Sequence, residues 1–349
     1  MHIPRSAHVA IAVPPAVTAA LLAAGPVLAH GSVPAARPDA GSLLLGWAFE
    51  PAVALPLAGV AIWWWWLIGS IDRAHPEHRV PAGQRWAFVG GLVAIAFALL
   101  SGVARYDTTL FSVHMGQHLL LTLVAPALIA LAAPITQVLR AAAPETRRRL
   151  ILPVLRSRVV VLLTHPILAW ILFAAVMWGT HFSPLFNASL EDPLTHDLEH
   201  MAYLAVGLLF WWPVVGLDPG PHRMGYPARI GYVFLQMPQN SFLAMSILFA
   251  DSPLYAHYAT LGSPYGINAL ADQRLAAGIM WVVGDLVFLA ATMLVLGGWM
   301  RRESRADPAG ERRVAEQVAG IREREAALRL RRAAEAADQA GSAPSTSDR

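Results

Sequence analysis

Long apolar runs separated by short polar segments dominate the chain. They lie at 50–71, 86–105, 110–132, 160–178, 199–216, 229–250 and 276–300. Each run has about the 17–25 residues that a helix needs to cross the hydrocarbon layer of a membrane. Proline and glycine inside several runs do not argue against helices, because both are more frequent in membrane helices than in soluble ones. The pattern predicts an all-α fold, a polytopic membrane bundle with seven transmembrane helices over residues 50–300.

The N-terminal segment has the pattern of a secretory signal. Arg5 precedes an apolar stretch, and Val27-Leu28-Ala29 forms a small-residue cleavage pattern. Residues 1–29 are therefore predicted to be a signal peptide or an additional N-terminal span. In both cases residues 30–49 form an outer segment, so the topology of the remaining chain is the same.

The C-terminal segment is polar and charged. Glutamate and arginine alternate over residues 311–335, and the chain ends in a polar Gly-Ser-Ala-Pro-Ser-Thr-Ser segment. Such a charge pattern is typical of a solvated helix, and a polar low-complexity end is typical of disorder. Residues 301–349 are predicted to form a cytoplasmic charged helix followed by a disordered tail.

Composition supports the assignment to membranes. Of the 349 residues, 56% are hydrophobic and 14% are charged, and the mean hydropathy is +0.48. An ordinary soluble domain of this length carries more charge and less apolar surface. The sequence is therefore expected to belong to a membrane protein.

Arginine is distributed unevenly between the loops, and it accounts for all 26 basic side chains. The loops 72–85, 133–159 and 217–229 are rich in arginine, whereas the loop 179–198 contains none. Cytoplasmic loops carry an excess of positive residues. The arginine-rich loops and the C-terminus are thus predicted to be cytoplasmic, in a bacterial inner membrane. The net charge of +3 reflects this topology, and no aromatic-interleaved basic patch suggests nucleic acid.

Six histidines fall on the opposite, outer side of the membrane once the helices are threaded. They are His114, His118, His181, His196, His200 and His257. Four of them form two H-x-x-x-H steps, which place two imidazoles on one face of a helix, one turn apart. Ionisable residues at membrane depth are costly and usually functional. These two pairs predict a metal centre at the outer face.

The remaining candidate ligands are acids and a thioether. The chain has no cysteine, so histidine, methionine and carboxylate are the available ligands. Acidic residues in the outer loops or at the same level, Asp197 and Glu199 among them, can ligate or orient imidazoles. The predicted metal ligands are His114, His118, His196, His200, His181, Asp272, His257, Asp251 and Met115.

Several motifs resemble those of one family, the CtaG-type cytochrome c oxidase assembly factors of bacterial membranes. The motifs are Phe111-Ser-Val-His-Met-Gly-Gln-His-Leu-Leu-Leu, Trp178-Gly-Thr-His181, His196-Asp-Leu-Glu-His200, Phe210-Trp-Trp-Pro213, Ala271-Asp-Gln273 and Gly278-Ile-Met-Trp281. The resemblance covers residues 45–300. It implies a non-enzymatic role in assembling a terminal haem–copper oxidase, through copper delivery or insertion. The implied partners are membrane lipid, the oxidase subunits and periplasmic copper chaperones.

Copper suits the predicted ligands, because imidazole and thioether bind Cu(I) and imidazole also binds Cu(II). Zinc and haem remain alternatives. His196-Asp-Leu-Glu-His200 satisfies the H-x-x-E-H pattern of a zinc metalloprotease. Histidines on facing helices also suit a haem-b electron carrier. A copper transporter is disfavoured, because few polar groups continue through the bilayer.

Overall fold

The structure, a computed structural model, describes residues 33–341. The predicted signal or N-terminal span at residues 1–29 lies outside this range, as does the chain end from residue 342. The described chain divides into two units, one ending at Thr292 and the other beginning at Met293.

The described chain is helical and contains no strand, which confirms the predicted all-α class. The α-helices are α1 (Ala40–Leu45), α2 (Pro51–Ala74), α3 (Ala82–Leu100), α4 (Gly102–Tyr106), α5 (Phe111–Leu119), α6 (Ala125–Leu131), α7 (Pro134–Ala141), α8 (Pro144–Thr146), α9 (Leu152–Leu155), α10 (Arg158–Leu163), α11 (Pro166–His181), α12 (Leu185–Glu191), α13 (Pro193–Val215), α14 (Tyr226–Phe234), α15 (Gln236–Leu248), α16 (Ala256–Thr260) and α17 (Ala269–Gly341). Leu120–Val124 and Arg147–Ile151 are π-helical, and Pro76–His78 and Pro264–Gly266 are 3₁₀ turns.

Among the described residues, five helical segments are long and apolar enough to cross a membrane. They are Pro51–Ala74, Ala82–Tyr106, Phe111–Ala141, Pro193–Val215 and Ala269–Glu303. A sixth span results if α11 and α12, which bend by 68° at the break between them, count as one. The membrane bundle is therefore supported, whereas the predicted count of seven spans is not confirmed.

Prolines explain why two predicted spans differ from straight helices. The apolar run at 229–250 forms α14 and α15, which are separated at Leu235. Pro238 has no N–H for the carbonyl of Phe234, and its ring crowds that carbonyl, so the helix breaks there. Pro166 similarly begins α11 and separates it from α10. Proline at the first helical position leaves no donor unsatisfied.

The break between α14 and α15 does not leave the polar side chains of α15 unpaired. Asn240 Nδ2 donates to Asp285 Oδ1 on α17 at 3.0 Å, and Ser241 Oγ donates to Asp285 Oδ2 at 2.8 Å. These bonds link two helices across an otherwise apolar contact. Interhelical hydrogen bonds of this kind hold membrane helices together where the hydrophobic effect cannot.

The helix α13 packs tightly against the segment that continues α5. A Cβ atom added at Gly207 would lie 2.5 Å from the carbonyl oxygen of Thr122 and 2.7 Å from Cγ of Pro126. Only glycine permits this approach, and small residues at membrane helix contacts let backbones come close. Gly207 lies two turns after His200, and Thr122 lies one turn after His118. The close contact therefore fixes the spacing of the two histidine-bearing helices.

Beyond Met293 the second unit consists of helix α17 continuing to Gly341. Its described side chains between residues 315 and 329 are exposed, apart from the partly buried Gly320. Arginine and glutamate alternate along it, as expected for a solvated helix. The predicted domain boundaries at residues 49 and 300 and the assignment of the tail to the cytoplasm remain predictions.

We predict that Gly207→Ala destabilises the protein by about 1–3 kcal/mol, the usual cost of overpacking a close contact. The added methyl group would separate α13 from the Thr122 carbonyl. Gly59→Ala is the matched control, because nothing lies within 4 Å of a Cβ at Gly59. Thermal unfolding of both variants in detergent measures the effect. Equal melting temperatures for the two variants would contradict the proposed contact.

Candidate metal centre

Three helices and one loop bring a group of histidines and carboxylates together inside the bundle. Helix α5 contributes one histidine pair, α13 contributes the other with a glutamate, α11 ends in a histidine, and the loop after α4 provides an aspartate. These residues are His114, His118, His196, His200, Glu199, His181 and Asp107. None of these residues is more than 7% exposed. The centre is therefore shielded from bulk solvent.

The two histidine pairs, one on α5 and one on α13, face one another. Ring centroids lie 4.0 Å apart for His114 and His118, 4.1 Å for His196 and His200, and 5.5 Å for His114 and His196. The spacing of four residues puts each pair on one face of its helix. The local sequence thus dictates the pairs, and the packing of the helices joins them.

One possible ligand group contains a glutamate. Ligand atoms of His114, His196 and Glu199 all lie within 4.8 Å of one another. Glu199 Oε2 is 3.9 Å from Nε2 of His114 and 3.8 Å from Nε2 of His118. These distances exceed a hydrogen bond, yet a cation between the atoms would contact both imidazole and carboxylate.

A second ligand group shares His196 and contains an aspartate. Ligand atoms of Asp107, His196 and His200 lie within 4.8 Å of one another, and Asp107 Oδ2 is 3.9 Å from His196 Nε2. Asp107 is fully buried at the end of α4, and this burial raises the pKa of its carboxyl group to about 7. Hydrogen bonds donated by Gln117 and by the Thr108 amide act in the opposite direction. A nearby cation would favour the ionised carboxylate.

Gln117 joins the two helices at the edge of this second group. Its Nε2 donates to the carbonyl of Ala98 at 3.0 Å and to Asp107 Oδ2 at 2.9 Å. Its Oε1 lies 3.1 Å from His200 Nε2 and can only accept. His200 therefore carries its proton on Nε2, and its Nδ1 carries the lone pair. Such outer hydrogen bonds orient imidazoles in metal sites.

His181 shows the same arrangement at the end of α11. Its Nδ1 lies 2.7 Å from the carbonyl oxygen of Met177, which can only accept, so Nδ1 carries the proton. The remaining nitrogen, Nε2, is buried and makes no hydrogen bond to a described residue. A histidine that donates one N–H to a backbone carbonyl and keeps the other nitrogen free is typical of metal ligands.

Unpaired ring nitrogens are the clearest sign of a missing partner. Both nitrogens of His114 and both of His118 are buried without a hydrogen bond to any described residue. Burying a polar group without a partner costs free energy, so buried polar atoms are nearly always paired. The imidazole and carboxylate donors suit a divalent or a cuprous ion. A bound metal would satisfy these nitrogens and balance the nearby acids.

Aromatic rings cover the centre. Phe186 of α12 is fully buried, and its ring centroid lies 5.1 Å from that of His114 and 5.5 Å from that of His181. The Tyr203 ring lies 4.3 Å from the His118 ring, and its hydroxyl forms a hydrogen bond with Thr180 Oγ1 at 2.6 Å. These rings exclude water and lower the local dielectric constant, which strengthens electrostatic interactions in the site.

The other predicted ligands lie in different surroundings. Asp272 Oδ2 accepts hydrogen bonds from the backbone amides of Phe111 at 2.6 Å and Ser112 at 3.3 Å, and so caps the start of α5. His257 Nε2 donates to the carbonyl of Thr108 at 2.8 Å. Asp251 is exposed, and Met115 packs into the apolar cluster with Phe111. The structure therefore brings five of the predicted histidines together and places these four residues around them.

Sequence reasoning did not identify Asp107 or Gln117. It considered Glu199 as an acidic neighbour and as the glutamate of the H-x-x-E-H pattern, but did not include it among the predicted ligands. Gln117 is a polar residue on an apolar helix between two histidines, a signal that was available in the sequence. Asp107 lay in a short connection next to Arg105, where an acid is usually solvated. Its position became apparent only from the packing of α4 against α5.

The centre lies in a part of the chain that matches a known family. A model of the family described as cytochrome c oxidase caa3 assembly factor (Caa3_CtaG) matches residues 69–302. All histidines and acids of the centre lie inside this segment. The matched segment also contains α13, α11 and most of the described membrane-spanning helices.

Similar curated proteins come from mycobacteria. The chain is 32% identical over 275 residues to proteins of Mycobacterium bovis and Mycobacterium tuberculosis, covering 77% of this chain and 41% of each relative. A Mycobacterium leprae protein is 32% identical over 266 residues, covering 74% and 40%. All three are named as uncharacterized, and the chain spans about two fifths of their length. No solved structure matches the chain significantly.

We predict that Asp272→Ala weakens the start of α5 and destabilises the protein by about 0.5–2 kcal/mol, the usual cost of losing a cap. Asp272→Asn keeps one acceptor oxygen and should lose less. Thermal unfolding of the two variants measures the difference. If Asp272→Ala instead left the stability unchanged and abolished metal binding, the residue would be a ligand and not a cap.

Proposed function

The chain belongs to the Caa3_CtaG family of cytochrome c oxidase caa3 assembly factors, and we propose that it assists assembly by holding copper at the buried histidine centre and passing it to the oxidase. Copper is the cargo in this proposal, and the oxidase subunits are the acceptors. The chain itself catalyses no reaction. The histidine centre lies in the segment that matches the family.

The observation that carries the proposal is the set of unpaired imidazole nitrogens on α5. His114 and His118 face Glu199 at 3.8–3.9 Å, and all four of their ring nitrogens lack a hydrogen bond to a described residue. Apolar side chains at these two positions would cost less free energy to bury, because they would leave no buried polar atom unpaired. Retaining two imidazoles there is understandable if they bind a cation.

Two groups of residues would hold the metal. His114, His196 and Glu199 form one, and Asp107, His196 and His200 form the other. Because both contain His196, an ion bound to one group lies next to the other. Copper binds nitrogen and oxygen ligands more tightly than zinc does in the usual stability order of divalent ions. The donors therefore suit copper, with zinc as the weaker candidate.

The distribution of arginine supports an orientation of the chain in the membrane. We infer that the chain lies in the bacterial inner membrane, with the centre at the outer face and the C-terminus in the cytoplasm. The centre would then lie on the side of the membrane where periplasmic copper chaperones act as donors and oxidase subunits act as acceptors. Membrane lipid surrounds the spanning helices.

The protease alternative has one observation in its favour. Asp107 lies close enough to His196 and His200 to supply the third ligand that an H-x-x-E-H zinc site needs. The centre is buried, however, and the cavity next to His118 and His181 has a volume of only about 30 Å³. This volume holds about one water molecule and leaves no room for a peptide.

The haem alternative meets the same restriction. Two axial imidazoles must stand on opposite faces of a porphyrin, whereas the rings of His114 and His118 are only 4.0 Å apart at their centroids on one helix face. The cavity of about 30 Å³ beside them is far smaller than a haem. The arrangement suits a compact ion site better.

We predict that changing His114, His118, His196 and His200 together to Ala abolishes copper binding. Removal of outer hydrogen-bond partners alone weakens metal binding about 10- to 100-fold, so removal of the ligands themselves should exceed about 100-fold. Copper per chain is measured on the purified full chain loaded with Cu(I) or Cu(II). Oxidase activity is measured in cells that carry only the variant, and it should fall with copper binding.

His165→Ala with His222→Ala is the matched control for this experiment. These two rings also contact one another, with centroids 4.7 Å apart, but they lie outside the centre. The control should bind copper and support the oxidase as the wild type does. Normal copper binding by the fourfold variant would refute the proposed site. Loss of oxidase activity with copper binding retained would point to assembly through a contact other than copper transfer.

We expect the zinc-loaded chain to leave an unfolded protein substrate such as casein intact, because the buried centre offers no peptide cleft. Glu199→Gln separates the two functions, since a protease would need this carboxylate to polarise water. Cleavage by the wild type that disappears in Glu199→Gln would favour the hydrolase. Gel electrophoresis of the substrate gives the answer.

A further inference from the structure

A pocket of about 480 Å³ lies where α2, α7 and α13 come together at their ends. It is lined by arginines and by residues that follow two of these helices. The lining includes His75, Thr136, Arg140, Arg147, Leu217 and Arg223. A volume of this size is within the range of small-ligand sites. None of the functions considered above uses this pocket.

Two arginines of the pocket donate hydrogen bonds to uncharged acceptors. Arg140 donates to Gln137 Oε1 at 3.0 Å and to the carbonyl of His78, both of which are uncharged. Arg147 donates to the carbonyl of Ala142 at 3.3 Å. Among the described residues, neither these two arginines nor Arg223 forms an ion pair with a carboxylate.

Arg147 also has an unpaired donor. Its Nε is buried and has no hydrogen-bond partner among the described residues. A buried guanidinium N–H without an acceptor is costly, since charged groups carry a large desolvation penalty. A ligand with anionic oxygens would supply the missing acceptor.

The carboxyl group next to the pocket is already engaged. Asp218 lies between Leu217 and Pro219, and its oxygens accept hydrogen bonds from the amides of Ile135 and Thr136 and from the Thr136 hydroxyl. Burial disfavours the charged form of Asp218 and so raises its pKa, whereas the hydrogen bonds from Thr136 and Ile135 act in the opposite direction. Asp218 thus caps α7, and its carboxylate oxygens are engaged by the first residues of that helix.

The pocket lies at the level where a membrane-spanning helix ends. Helix α2 ends at Ala74 and α13 ends at Val215; the lining residue His75 follows α2 directly, and Leu217 lies two residues after α13. Along α13 the pocket lies roughly 25 Å from His200, given a rise of about 1.5 Å per residue. It is therefore at the opposite end of this helix from the metal centre, near the expected depth of the lipid headgroups.

We propose that this pocket binds the phosphate group of an anionic phospholipid. Guanidinium groups recognise phosphate oxygens through paired hydrogen bonds, and three of them converge here. Basic pockets between membrane helices at the headgroup level hold anionic lipids. Free inorganic phosphate has the same chemistry, but it would not benefit from the position at the helix ends.

The test uses the full chain purified in dodecyl maltoside and titrated with dioleoylphosphatidylglycerol, dioleoylphosphatidylcholine or inorganic phosphate. Native mass spectrometry counts the bound lipid, and thermal unfolding reports phosphate binding. We expect selective binding of phosphatidylglycerol. Each arginine near a membrane surface contributes about fivefold in affinity, so Arg140→Gln, Arg147→Gln and Arg223→Gln together should weaken binding on the order of 100-fold.

Two further variants guard against misfolding and against nonspecific charge effects. Arg223 forms no side-chain hydrogen bond with another described residue, and Arg223→Gln alone should weaken binding about fivefold. Arg79→Gln, Arg156→Gln and Arg158→Gln remove the same charge from exposed positions outside the pocket and should bind as the wild type does. Equal weakening by both triple variants would overturn the proposal. Stabilisation by phosphate that also displaces the lipid would overturn the lipid assignment.

Discussion

The close contact of α13 with the π-helical segment that continues α5 is the constraint on which the rest of the centre depends. Gly207 lets the backbone of α13 approach the Thr122 carbonyl, and this approach brings two helices with a histidine pair each into register. The histidine rings are then held within an apolar bundle, where unpaired polar atoms are costly. Other contacts of the site orient these buried rings or fix the helix that carries them. Gln117 orients His200, the Met177 carbonyl orients His181, and Asp272 fixes the first turn of α5.

The second constraint on the centre is the charge of its buried acids. Asp107 and Glu199 lie among imidazoles in a region shielded by Phe186 and Tyr203, and neither carboxyl group forms an ion pair with a described arginine. The pKa of Asp107 is raised to about 7, because burial disfavours the charged form of its carboxyl group. A bound divalent ion would add positive charge next to these acids. Its binding would release protons from the ligands, because ligands bind metal in their deprotonated form. The centre thus combines unsatisfied donors and excess acid, two features that a structural core avoids.

Helix periodicity made much of this predictable from the sequence. The all-α class and the histidine pairs follow from apolar runs and from four-residue spacing, and both depend only on local geometry. Asp272 shows where such reasoning ends, since it caps a helix that begins 161 residues earlier in the chain. No local pattern distinguishes a capping aspartate from a metal ligand at that distance. The count of seven spans is not confirmed for a related reason, because Pro238 breaks an apolar run that hydropathy alone predicts to be a span.

The lack of thiolate ligands bears on how the proposed carrier would release its cargo. Histidine and carboxylate bind copper less strongly than cysteine thiolates bind Cu(I), and protons compete for both. A site built from them can therefore give copper up to a thiolate-containing acceptor without an input of energy. The rigid helices α5 and α13 set the ligand positions in advance, so binding requires little ordering of the chain. Preorganised but moderately strong ligands are what a transfer site requires, whereas a storage site would benefit from thiolates.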